Sequence, residues 1–301
     1  MAQWLLTQIL AAVGILSRRL TRRSRQFLGR RIGDLLMLLS AKRRRITREN
    51  IALSLPHTSP AEQARIALDS YRNLGITLAE LTAFPALSDR ELDDLIQFNN
   101  IELIEAACAA GRGVILLSAH FGNWELSAYG VSRKIGRPLH VIVKHQRNPY
   151  ADRLLNRIRA ERGNVLIPMD RAAREAVRVF RGGGVLALLA DQSARPGSDP
   201  FLNVFGRPAP VYRAPAALAL RFGVPIVMGL CTRQPDGRYV VDLQTIDTDG
   251  LSNDEAGILE LTRRHLAVME AHIRAYPGQW VWQHRRWKHK VPAAAEHQTA
   301  T

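Results

Sequence analysis

"VILLSAHFGNWEL", residues 114–126, joins an apolar run of strand length to a histidine and a glutamate five positions apart. Gly111-Arg112-Gly113 provides a turn before the run, and a short apolar segment bounded in this way reads as a buried strand. Similar runs recur downstream as "LHVIVK" (139–144), "NVLIP" (164–168), "VLALLA" (185–190) and "VPIVMGLCT" (224–232). Between them lie helical stretches of ten to thirteen residues: "WELSAYGVSRKIG", "YADRLLNRIRAER", "RAAREAVRVFR" and "APAALALRFG". This alternation predicts βαβ units, hence an α/β fold with a mostly parallel central sheet flanked by helices.

Upstream, residues 60–82 predict a helix that begins at Pro60 and carries Ala64, Ala67, Leu68, Tyr71, Leu74 and Leu78 on one side. Residues 89–110 predict a second helical stretch ending at Gly111. Near the other end, "RYVVDL" (238–243) follows an Asp236-Gly237 turn as a hairpin partner. Ser252 and Glu255 then read as a capping box for a long helix reaching Tyr276. Cys108 and Cys231 show neither CxxC nor zinc spacing, which suits a reducing compartment and small core residues.

The chain carries 42 Lys and Arg against 27 Asp and Glu, a net charge of +15 that calls for an anionic partner. Twelve basic residues and a single acid, Asp34, lie between Arg18 and Arg48, directly after the apolar segment "WLLTQILAAVGIL" (4–16). Thirteen residues fall short of the roughly 20 needed to span a bilayer as a helix. The helical spacing of Leu5, Leu6, Ile9, Leu10, Val13, Leu16 and Leu20 beside the arginines fits an interfacial helix on an anionic, cytoplasmic leaflet, with "DLLMLL" (34–39) as a second shallow contact. The alternative is a helix packed on its own domain and followed by a solvated basic linker. The organisation read from the sequence is a membrane-associating segment over 1–45, one catalytic domain over 46–290 and a disordered tail over 291–301. Nucleic acid accounts for the charge only, and no recognised nucleic-acid module is present.

His120 ends the strand "VILLSAH" and Asp191 ends "VLALLAD", so both belong at the carboxyl edge of the sheet, where sites in open α/β folds form. On one continuous helix, residues five apart point roughly 140° from each other. Phe121-Gly122-Asn123 is therefore predicted as a turn, with Asn123 as N-cap and Glu125 in the first helical turn. Such a turn can bring Glu125 toward His120, giving an imidazole whose second nitrogen takes a proton from a hydroxyl. The competing reading makes His120 a structural histidine and Glu125 an acid favoured by the helix dipole.

"HFGNWEL" resembles the first motif of the lipid A biosynthesis acyltransferases, the lauroyl/myristoyl branch of the glycerolipid acyltransferase superfamily. The similarity extends to "RRRITRENIALSLP" (43–56), "KHQRNPYADRLLNRIRAERG" (144–163), "LLADQS" (188–193), "FGRPAPV" (205–211) and "YPGQWVWQHRRWK" (276–288). The resemblance implies transfer of a fatty acyl chain from an acyl thioester, usually acyl carrier protein with coenzyme A as the alternative, to a hydroxyl of a lipid A precursor or related glycolipid. It places the reaction at the cytoplasmic face of the inner membrane and makes His120 and Glu125 the catalytic pair. Other acceptors on this scaffold are lysophospholipids, ornithine lipids and phosphoinositol mannosides, and a lipid hydrolase is the nearest rival. Absence of G-x-S-x-G agrees with direct transfer, and no nucleotide cofactor or catalytic metal is indicated. Asn123, Lys144, Arg147, Arg157, Arg159, Asp191 and Gln192 complete the candidate set, the cations for anionic groups on both substrates. Ser193 departs from the commonest family pattern, which has a second acid there, and this bears on acceptor identity.

Overall fold

The computed structural model describes residues 2–161 and 163–291, so the tail expected from 291 lies, beyond Val291, outside the described residues. Four helices come first: α1 (Ala2–Arg19), α2 (Arg22–Leu39), α3 (Ala41–Ser54) and α4 (Pro60–Leu81). Then follow α5 (Asp89–Leu95), β1 (Ile96–Asn99), α6 (Glu102–Ala109), β2 (Val114–Ser118), α7 (Trp124–Lys134), β3 (Leu139–Val143) and α8 (Pro149–Ala160). The second half runs β4 (Val165–Pro168), α9 (Ala172–Arg181), β5 (Val185–Leu189), β6 (Phe201–Val204), β7 (Arg207–Pro210), α10 (Ala214–Phe222), β8 (Ile226–Arg233), β9 (Tyr239–Ile246) and α11 (Glu255–Ala275).

Seven strands form the central sheet in the order β1-β9-β8-β2-β5-β3-β4. Within this sheet β8 and β9 pair antiparallel, as the Asp236-Gly237 turn requires, and the other neighbour pairs are parallel, while β6 and β7 form a separate antiparallel pair. Alternation along β2 divides the core. Ile115 and Leu117 join a cluster with Ile51, Phe180, Ala216 and Leu261, whereas Val114 and Leu116 join Leu92, Ile104, Leu126 and Ile158 on the other face. Helices thus cover both faces, the condition under which parallel strands are uniformly apolar. Cys108 and Cys231 are free and buried in the core.

Three expectations need correction. The stretch 89–110 is not one helix: α5 stops at Leu95, β1 pairs with β9, and α6 starts after Asn100, whose positive φ of 62° turns the chain. The long C-terminal helix is capped by Asp254, whose side chain accepts from the Gly257 amide, and not by Ser252. The buried side of α4 is also different, for Ser70, Asn73, Thr77 and Glu80 are buried and only Ala67 and Tyr71 of the expected apolar stripe are. These four polar side chains face backbone and side chains of the site described below.

The N-terminal segment is built into the body. Gly29 and Gly33 of α2 lie against Gly75 and Ile76 of α4, and a Cβ on Gly75 would stand 2.2 Å from the Gly29 carbonyl oxygen and 2.5 Å from the Gly33 nitrogen. Gln26 donates to Glu80 and to the Gly237 carbonyl, and Arg72 pairs with Asp34 at 2.7 Å. Helix α1 turns a small and polar face inward, with Thr7, Gly14 and Ser17 buried and Trp4, Ile9, Ile15 and Leu16 exposed. No described helix is long and apolar enough to cross a membrane.

Because the α2–α4 contact has no room for a methyl group, Gly75→Ala is expected to destabilise the protein by about 1–3 kcal/mol, the usual range for overpacking. A urea midpoint equal to that of the wild type would show that the helices separate without cost.

Candidate active site

β2 and β5 are parallel neighbours in register, Ser118 opposite Leu189, so the residues just beyond them emerge side by side. His120 follows β2 and Asp191 follows β5. The Asp191 carboxylate, 3% exposed, accepts from His120 Nδ1 at 2.7 Å, from the His120 amide at 3.1 Å and from the Trp280 indole at 2.8 Å. Burial raises the pKa of this carboxyl, but the attraction and hydrogen bonds of His120 and the Trp280 donor outweigh it, bringing the group down to about 2. An ionised acceptor on Nδ1 fixes the ring with its proton there and its lone pair on Nε2. The Gln192 amide lies 3.3 Å from that Nε2.

The turn after His120 has the expected form, with Asn123 as N-cap of α7 accepting from the Leu126 amide at 3.0 Å. Glu125 does not take the place foreseen for it at the ring nitrogen. It accepts from the Trp124 indole at 3.2 Å and from Arg159 Nε at 3.0 Å, with a second, shorter bond from Arg159 Nη2. Register explains the exchange: β5 delivers Asp191 directly beside His120, while the first turn of α7 points Glu125 toward α8. Trp124 links the two pairs, its ring meeting His120 edge-on at 5.2 Å between centroids.

The remaining candidates separate clearly. Arg159 is the arginine of α8 that reaches the site, whereas Arg157 is exposed. Lys144 and Arg147 are exposed on the loop between β3 and α8. Asn123 is fully buried, its oxygen accepting from the Leu126 amide and its own amide donating to Glu80 at 2.7 Å, so it braces the turn.

Several contributors were missed from the sequence. On α4, Asn73 and Thr77 both donate to the Gly122 carbonyl at 2.9 Å, and Ser70 donates to the Trp280 carbonyl. Buried Glu80 also accepts from the Tyr239 hydroxyl. A Cβ on Gly122, with φ of 54°, would lie 1.6 Å from the Cys231 carbonyl oxygen, so glycine is required at the centre of the turn. The C-terminal stretch closes the site: the Val281 amide donates to the His120 carbonyl, and Trp280 stacks on Phe205 while meeting Trp282 edge-on. Arg286, 1% exposed, has its pKa lowered to about 10 by burial, opposed by Asp191, Tyr212 and Glu270. Ser-x-x-Asn-x-x-x-Thr-x-x-Glu at helical spacing within α4 was the visible signal of this inward polar seam.

Residues 1–289 match the family described as bacterial lipid A biosynthesis acyltransferase. The lipid A biosynthesis lauroyltransferase of Escherichia coli (strain K12) is 25% identical over 269 residues, covering 87% of this chain and 84% of that protein. The lipid A biosynthesis palmitoleoyltransferase of the same organism is 23% identical with the same coverage. A phosphatidylinositol mannoside acyltransferase of Mycolicibacterium smegmatis is 23% identical over 77% of this chain and 74% of its own. The chain belongs to the lipid A biosynthesis acyltransferase family and is a lipid acyltransferase.

Since the folded-state pKa of Asp191 is lowered, its contribution to stability is complete above the ordinary carboxylate value and is lost as pH falls through about 2. Between pH 7 and pH 2, Asp191→Asn is therefore expected to lose roughly 2 kcal/mol less stability than the wild type. Parallel stability curves for the two proteins, measured by denaturant unfolding, would remove the proposed charge on Asp191.

Proposed function

We propose that this member of the family transfers a fatty acyl chain from an acyl thioester, carried by acyl carrier protein, to a hydroxyl of a lipid A precursor, with His120 as general base. One observation carries the reading: the buried Asp191 carboxylate holds Nδ1 of His120 at 2.7 Å and leaves Nε2, with the Gln192 amide beside it, as the base at the carboxyl edge of the sheet. An acceptor hydroxyl at Nε2, taking the place of the Gln192 amide, gives up its proton as its oxygen attacks the thioester carbonyl carbon. The tetrahedral intermediate then breaks its carbon–sulfur bond, and the imidazolium returns the proton to the departing thiolate. No acyl-enzyme is formed.

Glu125 acts as a positioning residue in this scheme. It holds the Arg159 guanidinium, raised in pKa by the carboxylate against the lowering effect of burial, and the Trp124 ring beside the base. Exposed Lys144 and Arg147 suit first contacts with the acidic carrier or with lipid phosphates.

The protein works on the cytoplasmic leaflet of the inner membrane, lying on it by its N-terminal helices. Support comes from the outward apolar residues of α1 together with Phe27, Leu35, Leu38 and Leu39 of α2, the last two 72% and 73% exposed, among exposed arginines. Such a surface is what a soluble helix avoids.

Labelled acyl transfer from acyl carrier protein to a tetra-acylated lipid A precursor is expected with wild type, and release of free fatty acid without acceptor is not. His120→Ala and Asp191→Asn are each expected to lower kcat by about 10²–10⁴. Hydrolysis without transfer would replace the reading by a hydrolase, and transfer only to phosphatidylinositol mannosides or lysophospholipids would change the acceptor. Glu125→Gln and Arg159→Gln are expected to be non-additive, the double variant being no slower than the slower single variant; additive losses would separate the two residues. Leu38→Ser with Leu39→Ser is expected to shift protein from sedimented anionic vesicles to the supernatant, and unchanged sedimentation would remove α2 from the membrane contact.

A further inference from the structure

A cleft of about 520 Å³ lies between α4, the β8–β9 turn and the Pro277–Gln279 turn, with α2 at its edge. His120, Asp191, Gln192, Glu125 and Arg159 take no part in its lining. Four arginines do, Arg30, Arg65, Arg72 and Arg233, against the single acid Asp69. Two of them are already engaged: Arg72 pairs with Asp34 at 2.7 Å, and Arg65 with Glu62 and Asp69 at 3.4 and 3.7 Å. Arg30 has no ion pair among the described residues. Arg233 donates Nε to the Tyr239 hydroxyl at 2.8 Å and Nη1 to Asn73, while its buried Nη2 has no hydrogen-bond partner.

Arg30 and Arg65 are exposed at the cleft, and Arg30 carries no ion pair among the described residues, so guanidinium donors are open to an anion entering it. The planar forks of several arginines match the tetrahedral oxygens of a phosphate. Arg30 lies one helical turn from exposed Phe27, on the helix that also exposes Leu35 and Leu38, so the cleft edge adjoins the apolar surface of α2. We propose that this cleft is a second, phosphate-binding site, distinct from the site of acyl transfer, whose ligand is the phosphate of an anionic lipid headgroup or of a soluble phosphorylated molecule. It does not depend on the acyl-transfer reading, since it stands on binding groups outside the catalytic cleft.

The test is calorimetric titration of the full chain, held in an uncharged detergent, with dihexanoyl phosphatidic acid and separately with inorganic phosphate. Binding is expected to weaken at least tenfold in Arg30→Gln with Arg65→Gln, to tighten in Asp69→Asn, and to be unchanged in His120→Ala. The surface positions of Arg30 and Arg65 spare the core, and circular dichroism checks the fold. Binding of the lipid alone identifies a headgroup site; binding of inorganic phosphate, with or without the lipid, identifies a site for phosphate itself. Absence of binding by either probe at millimolar concentration, insensitivity to both the arginine and the Asp69 substitutions, or loss of binding in His120→Ala would overturn the proposal.

Discussion

The Asp191 carboxylate is the point on which the site depends. Three donors converge on it from two separate parts of the chain: the ring and amide of His120 after β2, and the indole of Trp280 from the C-terminal stretch. Asp191 itself ends β5, so one buried charge joins two adjacent strand ends to a segment about ninety residues further along. A charge with little access to water requires such compensation. Its compensation also sets the chemistry, because satisfying the carboxylate fixes the orientation of the imidazole.

A second constraint comes from behind the turn. α4 is amphipathic in an inverted sense near its end, placing Asn73, Thr77 and Glu80 in the interior to hold Gly122 and Asn123, while Ser70 holds Trp280. Against α2 the same helix packs through glycine, Gly75 lying on Gly29 and Gly33. Packing of small residues therefore links the N-terminal helices to the geometry around the base, and the face of α2 turned away from α4 is left apolar and exposed.

Periodicity and turn chemistry made much of the fold legible before the structure. Each parallel strand of the central sheet except β1 announced itself as an apolar run, since burial on both faces removes polar residues from such strands. β1 stayed hidden because Ile96–Asn99 is short, lies at the sheet edge and follows a helix without a Gly or Pro break. Asn123 was readable as a cap and His120 as a strand-end residue. The partner of His120 was not, because sequence proximity favoured Glu125, whereas registry between β2 and β5 delivers Asp191. Trp280, Glu80 and Asn73 were out of reach for the same reason: their contacts join positions far apart along the chain, and the strand-end reading put Asp191 at the same sheet edge as His120 without pairing the two.

The claim that Asp191 orients His120 is most directly tested by the ¹⁵N spectrum of histidine-labelled protein near neutral pH, with His120→Gln used to assign the resonance. A protonated Nδ1 and an unprotonated Nε2 are expected in the wild type, with that tautomer lost or mixed in Asp191→Asn and retained in Glu125→Gln. A wild-type proton on Nε2 alone, or a tautomer that answers to Glu125 and is indifferent to Asp191, would contradict the claim.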